Sequence, residues 1–334
     1  MIKRTENEYL KRAESIKNHF EKETGLELFE NLNEFFYWIE ERVSDWSPAT
    51  RRQYKAAIKF LFKQKNIEFN NKKLSEVFQS SISKKEVRKK HGKRTSAQKA
   101  KNMKRKVWRH IKFALENSSS RVAMLTLNIL QASAYFGLRP IEWAYSEFLL
   151  KGVSIRGIKV KNAKATEGRS FGEYRTIYIN EEVADDYFKD SFHQAFISAD
   201  QIIMYFENMK KNILRYENDQ EQIEIEYRRQ AELELRACRI LLGQINTRLE
   251  KKGVIKKDQR ITLYSGRHQF AANAKSFGLS SIEIAALMGH GAIDTNEKFY
   301  GRKINGRGGF GVNASNADIE KINFLKNNQK NLSR

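Results

Sequence analysis

Proline occurs only twice in these 334 residues, at Pro48 and Pro140. Inside a helix it removes a backbone donor and clashes with the preceding turn, so a chain almost free of it can run long helices without interruption. Apolar residues recur three and four positions apart through much of the sequence, and the two properties together predict a mainly α-helical protein. Hydrophobic residues make up 40% of the chain and aromatics 11%, enough to bury a core. At this length two domains are the natural expectation.

Residues 26–43 align Phe29, Leu32, Phe36, Ile39 and Val43 on one helix face. Ser47 then reads as an N-cap with Pro48 at the first helical position, and Tyr54, Ile58, Leu61 and Phe62 form the apolar stripe of that helix. Arg51, Arg52, Lys55 and Lys59 are expected mostly off the stripe, on a basic face. With helical patterns over 6–22 and near 73–82, a helical domain over residues 1–95 is predicted. Only about 25 residues precede the helix read over 26–43, too few for a further domain ahead of these helices, so none is expected.

Residues 84–109 hold thirteen Lys or Arg, including Lys89, Lys90, Lys93, Arg94 and Lys99, against the single acid Glu86. The part from 84 to 98 reads as a basic linker across the domain boundary. Ala97, Ala100, Met103, Val107, Ile111 and Ala114 then recur at helical spacing and open a second unit over 99–334. In it, 153–160 and 174–179 are rich in β-branched and aromatic residues, which predicts a hairpin or small antiparallel sheet within helices. Residues 199–252 return to helix, with a densely charged solvent- or partner-facing portion from Asn218 to Arg236. The tail 303–334 has a Gly-rich hinge at 305–312 and a short helix presenting Ile319, Ile322 and Leu325.

The 62 Lys and Arg exceed the 40 Asp and Glu by 22 charges, which favours an anionic partner, and nucleic acid ahead of a membrane surface. Neither a membrane-spanning run nor the apolar core of a signal peptide is present, and the single Cys238 suits a reducing cytosol. No Walker loop or dinucleotide-binding glycine motif appears, and the six histidines lack metal-ligand spacing, so no cofactor and no metal are expected.

Arg139 sits between a glycine turn and Pro140 in FGLRPIEW, at or just before a helix N-terminus where free amides also favour an anion; Glu142, three residues on, is placed to brace it. The stretch 261–302 then runs ITLYSGRHQF, a small-residue helix, FGLSSIEIAALMGH and a tyrosine ten residues later. This order resembles the second half of the catalytic domain of tyrosine recombinases, the phage-integrase family. FGLRPIEW is similar to that family's first-arginine box, Lys164 stands where the family carries a hairpin lysine, and SPATRRQYKAAIKFL at 47–61 looks like a helix of its core-binding domain. The likeness covers roughly residues 26–305.

The resemblance implies a helical core-binding domain joined to a mixed α/β catalytic domain, a clamp on double-stranded DNA, and a homo-tetramer acting on two DNA sites, cytoplasmic and DNA-associated. The chain end after Tyr300 would pack on a neighbouring subunit. It names no directionality factor. The activity implied is site-specific recombination, as in integration of a mobile element, without metal or ATP. Tyr300 would be the nucleophile forming a 3′-phosphotyrosine, Arg139 and Arg267 the phosphate clamp, His290 a phosphate ligand, and Lys164 the general acid, with Lys159 and Lys161 alternatives in the same hairpin. Two guanidiniums suit the task because each offers a fork of donors to phosphate oxygens and stays charged at neutral pH.

Two departures stand out. Tyr264 occupies the place of a usual histidine, and a phenol donates a hydrogen bond but accepts a proton poorly. The interval from His290 to Tyr300 is one residue longer than the commonest. Tyr264 motivates an alternative, a DNA-binding protein of the same fold without strand exchange; a type IB topoisomerase-like relaxing enzyme is another. Duplex contacts are assigned to Arg51, Arg52, Lys55, Lys89, Lys90, Lys93, Arg94 and Lys99. Binding to duplex DNA is expected to weaken steeply with salt, with a log–log slope of about −0.9 per phosphate contact. A flat response in a fluorescence-anisotropy titration would contradict the basic clamp.

Overall fold

Helices carry most of the fold in a computed structural model that describes residues 3–78, 102–151, 154–163, 172–179, 186–290, 303–306 and 311–331. The chain divides into two compact units, Met1–Thr95 and Ser96–Arg334.

The first unit contains α1 (Lys3–Thr24), α2 (Leu32–Arg42), α3 (Pro48–Gln64) and α4 (Asn71–Val77). Ser47 caps α3, its Oγ accepting from the Thr50 N–H at 3.2 Å, and Pro48 takes the first helical position, where a missing N–H does no harm. Phe20, Phe35, Trp38 and Phe62 form an aromatic core, with Phe20 edge-on to Phe35 at 5.3 Å. The second helix begins at Leu32 rather than near residue 26, because α1 ends at Thr24 and residues 28–30 form a turn, with Leu28 still buried.

Arg51 does not join the basic face. It stands three residues before Tyr54 and seven before Ile58, so it falls on the apolar stripe itself. Its side chain is buried, with Nε donating to the Trp46 carbonyl at 2.9 Å. Arg52 is exposed and Lys55 half-buried.

The second unit begins with α5 (Arg105–Glu116) and α6 (Ala123–Phe136). The α5 helix starts later than its apolar spacing from Ala97 predicts, after Met103 N–H donates to Gln269 Oε1 at 3.0 Å. The α6 helix is apolar nearly all round because four helices surround it: α5, α7 (Asp186–Leu214), α8 (Gln220–Lys251) and α9 (Leu263–Phe277). A break at 215–219 divides α7 from α8, with Asp219 capping the latter. A 3₁₀ turn, Pro140–Tyr145, leads from α6 into the sheet.

The sheet has four antiparallel strands in the order β1 (Ser146–Lys151), β2 (Ser154–Lys161), β3 (Tyr174–Ile179), β4 (Val312–Ala314). The predicted hairpin is its centre; β1 and β4 extend it. Strand alternation turns Ile158, Val160, Arg175 and Ile177 to the buried face. The helices α10 (Ser281–Met288) and α11 (Asn316–Asn331) complete the described elements. Ile322 of α11 packs on Ala285 and Ala286 of α10, and Asp318 accepts the Thr176 N–H of β3 at 2.9 Å. The tail helix thus has an apolar contact within its own chain, through Ile322. No helix among the described residues is long and apolar enough to cross a membrane.

Close approach of α6 and α9 depends on Gly266. A Cβ there would lie 2.8 Å from the Leu130 carbonyl oxygen and 2.9 Å from Ser133 Cβ. Helix propensity alone would make Gly266→Ala stabilising by about 1 kcal/mol. Backbone cannot yield as a flexible side chain would, so the substitution is expected instead to destabilise by about 1–3 kcal/mol. Urea denaturation checks the sign.

Candidate active site

The buried carboxylate of Glu142 collects donors from four parts of the second unit. It accepts the Arg139 backbone N–H at 2.7 Å and the Arg139 guanidinium Nη1, closing a local turn around Pro140. It also accepts the Ala163 N–H at 3.2 Å from the end of β2, and Arg175 Nη2 at 2.9 Å from β3. Arg267 Nη1 from α9 lies 3.5 Å away.

Arg267 reaches this point because α6 ends on Gly137, whose carbonyl accepts Arg267 Nη1 at 2.6 Å. Its Nη2 donates to the Met288 carbonyl and meets His290 Nε2 at 2.8 Å. His290 follows Gly289, which ends α10 with φ +62, a left-handed conformation that favours glycine. A Cβ at Gly289 would also lie 2.8 Å from Arg175 Nη1, so space and dihedral both require glycine there.

Arginine only donates, so His290 Nε2 accepts and the ring proton sits on Nδ1. Burial, then the Arg267, Arg139 and Arg175 guanidiniums, push the His290 pKa far below the ordinary imidazole value, and the ring is neutral. Burial would raise the Glu142 carboxyl, but Arg175, Arg139 and Arg267 outweigh it and hold the group well below the usual carboxylate range. Three guanidiniums, one carboxylate and a neutral imidazole sum to +3 − 1 = +2 within a buried cluster. Such a site attracts a compact anion.

Of the sequence-assigned residues, Arg139, Arg267 and His290 therefore meet around Glu142. Tyr264 lies one turn before Arg267 on α9, half-buried, its ring edge-on to His268 at 5.6 Å. Lys159 and Lys161 lie partly exposed on β2, paired with Glu147 at 2.9 Å and Glu173 at 3.5 Å. Lys164 and Tyr300 lie outside the described residues, as do Lys89, Lys90, Lys93, Arg94 and Lys99. Among the described residues, Ala163 is held by Glu142, His290 by Arg267, and Asn305 by Gln269 of α9, whose Nε2 donates to its carbonyl at 3.0 Å.

Sequence reasoning missed Arg175 and Asn162. Arg175 is wholly buried between Glu142, Asn162 and the Leu287 carbonyl. The only local signal was a charged residue at an inward position of an alternating strand, YRTIYI. Among the described residues, no three His, Cys, Asp or Glu side chains gather as a metal ion would need. Comparisons with family models, with curated proteins and with solved structures returned no match.

The unfolded chain protonates His290 near the ordinary value of 6.5, whereas the folded ring stays neutral, so acid favours the unfolded state. His290 thus contributes stability present above 6.5 and lost as pH falls below it, by about 1.4 kcal/mol for each pH unit. The carboxyl of Glu142 adds to the loss only below about 4.5. In urea denaturation at pH 7.5 and 5.5, His290→Gln is expected to flatten the decline relative to the parent. An unchanged slope would contradict a neutral buried ring.

Proposed function

We propose that the protein is a DNA strand transferase of the tyrosine-recombinase kind, cutting and rejoining duplex DNA at defined sites through a 3′-phosphotyrosine. The observation that carries this reading is the +2 cluster in which Arg139 and Arg267, far apart in the chain, share Glu142 beside a neutral His290. A phosphodiester attacked by an oxygen gathers negative charge in the transition state, and fixed guanidiniums in a low-dielectric site stabilise that charge strongly.

In this reading Tyr300 attacks phosphorus, the 5′ oxygen departs with a proton from Lys164, and the phosphotyrosine keeps the bond for rejoining to another 5′ hydroxyl. No step requires a metal or a nucleotide. Neutral His290 acts as a hydrogen-bond donor to phosphate and not as a third positive charge. Tyr264 donates to phosphate in place of a proton-accepting imidazole. Support for Tyr300 is its place in the sequence, ten residues after His290, which meets Arg267 of α9. The helical first unit and the basic segment 84–109 hold the duplex, and a tetramer brings two sites together.

The test is a suicide duplex built from the DNA flanking the gene, nicked so that the leaving strand is lost. The intact protein is expected to form a detergent-stable adduct in the presence of a chelator and without nucleotide. Tyr300→Phe should form none, and Arg139→Lys, which keeps the charge but loses the fork, should slow the step about 100-fold. Absence of an adduct with the intact protein would sink the reading in favour of a DNA-binding protein. Adduct formation on any duplex, without sequence preference, would favour a relaxing enzyme.

A further inference from the structure

Each guanidinium nitrogen of Arg175 is used on a different segment of the second unit. Nη2 donates to Glu142 Oε2 at 2.9 Å, and Glu142 holds Arg139 and Arg267. Nε donates at 2.9 Å to the carbonyl of Leu287, in the last turn of α10, three residues before His290. Nη1 donates to Asn162 Oδ1. Asn162 closes the base of the loop between β2 and β3, its N–H donating to the Glu173 carbonyl at 2.7 Å and its Nδ2 to the Gly172 carbonyl at 2.8 Å. That loop carries Lys164.

We propose that Arg175 is a positioning residue for the strand-transfer site: one planar fork sets the arginine pair, the His290 turn and the base of the Lys164 loop in a single arrangement. The role rests on the function proposed for this site. Arg175 is wholly buried with all its nitrogens engaged, so it acts through other residues and does not touch phosphate. Burying an arginine is unfavourable where an isoleucine or valine would satisfy a strand's inner face, as Ile158, Val160 and Ile177 do nearby. What the arginine adds is three diverging donors at fixed angles, which the single nitrogen of lysine cannot reproduce. The neighbouring turn is shaped around it, since Gly289 leaves no room for a Cβ against the guanidinium. Its charge also offsets Glu142, leaving the two positive charges of Arg139 and Arg267 for an anion.

The intact protein labelled with ¹⁵N in its histidine rings provides a readout independent of cleavage. The parent is expected to show His290 as a single Nδ1–H tautomer, shifted on addition of inorganic phosphate. Arg175→Lys, which keeps the charge, should convert this signal to a mixture of tautomers, whereas Asn162→Ala, which frees only the loop base, should preserve it. On a duplex that the parent cleaves, both variants should slow single-turnover adduct formation about tenfold or more while the Kd for DNA changes less than about threefold. A parent-like His290 signal in Arg175→Lys, with only a lower melting temperature, would overturn the proposal. So would a parent-like cleavage rate in that variant. If the parent forms no adduct on any duplex, the strand-transfer reading falls, while the His290 signal still decides whether Arg175 sets that turn.

Discussion

Everything near the candidate site depends on one ionised carboxylate placed among three guanidiniums. Taking Glu142 out of water is unfavourable, and only dense pairing makes it tolerable: five donors converge on its two oxygens. The donors come from the Pro140 turn, the end of β2, β3 and α9, so one carboxylate ties together four parts of the second unit. Removing one partner from such a set leaves buried charge without compensation, which typically costs about 3–5 kcal/mol. The same arithmetic explains why the cluster is not neutral. One carboxylate can organise three arginines, but it can cancel only one of their charges.

The scaffold that brings these groups together is assembled from helix ends. The α6 helix ends on Gly137, α10 on Gly289, and each releases the chain toward Arg267, which binds the carbonyls of Gly137 and Met288. These carbonyls belong to last turns that cannot be satisfied within their own helices, and a guanidinium is a suitable external donor for them. Arg267 therefore serves as a cap for two helices and as a member of the Glu142 cluster together. Gly266, directly before it, lets α9 approach α6 closely enough for the reach to succeed.

Local rules made the Ser47–Pro48 helix start, the central hairpin and the Arg139–Glu142 pair legible in the sequence, because each depends on residues a few positions apart. Non-local contacts were not legible. β4 has three residues and no periodicity of its own, and it exists because β3 offers an edge. Arg51 was misplaced because charge was weighed above position, although its spacing from Tyr54 and Ile58 puts it on the buried stripe. Arg175 was invisible for the converse reason: its partners Glu142 and Leu287 lie 33 and 112 residues away, and nothing in YRTIYI announces them. The resemblance to tyrosine recombinases supplied Arg267 and His290, which composition and spacing alone could not have linked to Arg139.

The pairing of β4 with β3, and of Asp318 with the Thr176 amide, bears on the order in which the molecule is made. The strand that holds Arg175 is synthesised well over a hundred residues before the segment that covers its edge. During translation β3 must wait on the ribosome with one side unpaired, and α10 waits without the apolar cover of Ile322. Every residue of the arginine cluster lies at or before His290, so its members are all made before the segment from residue 312 onward that pairs with the β3 edge and covers α10.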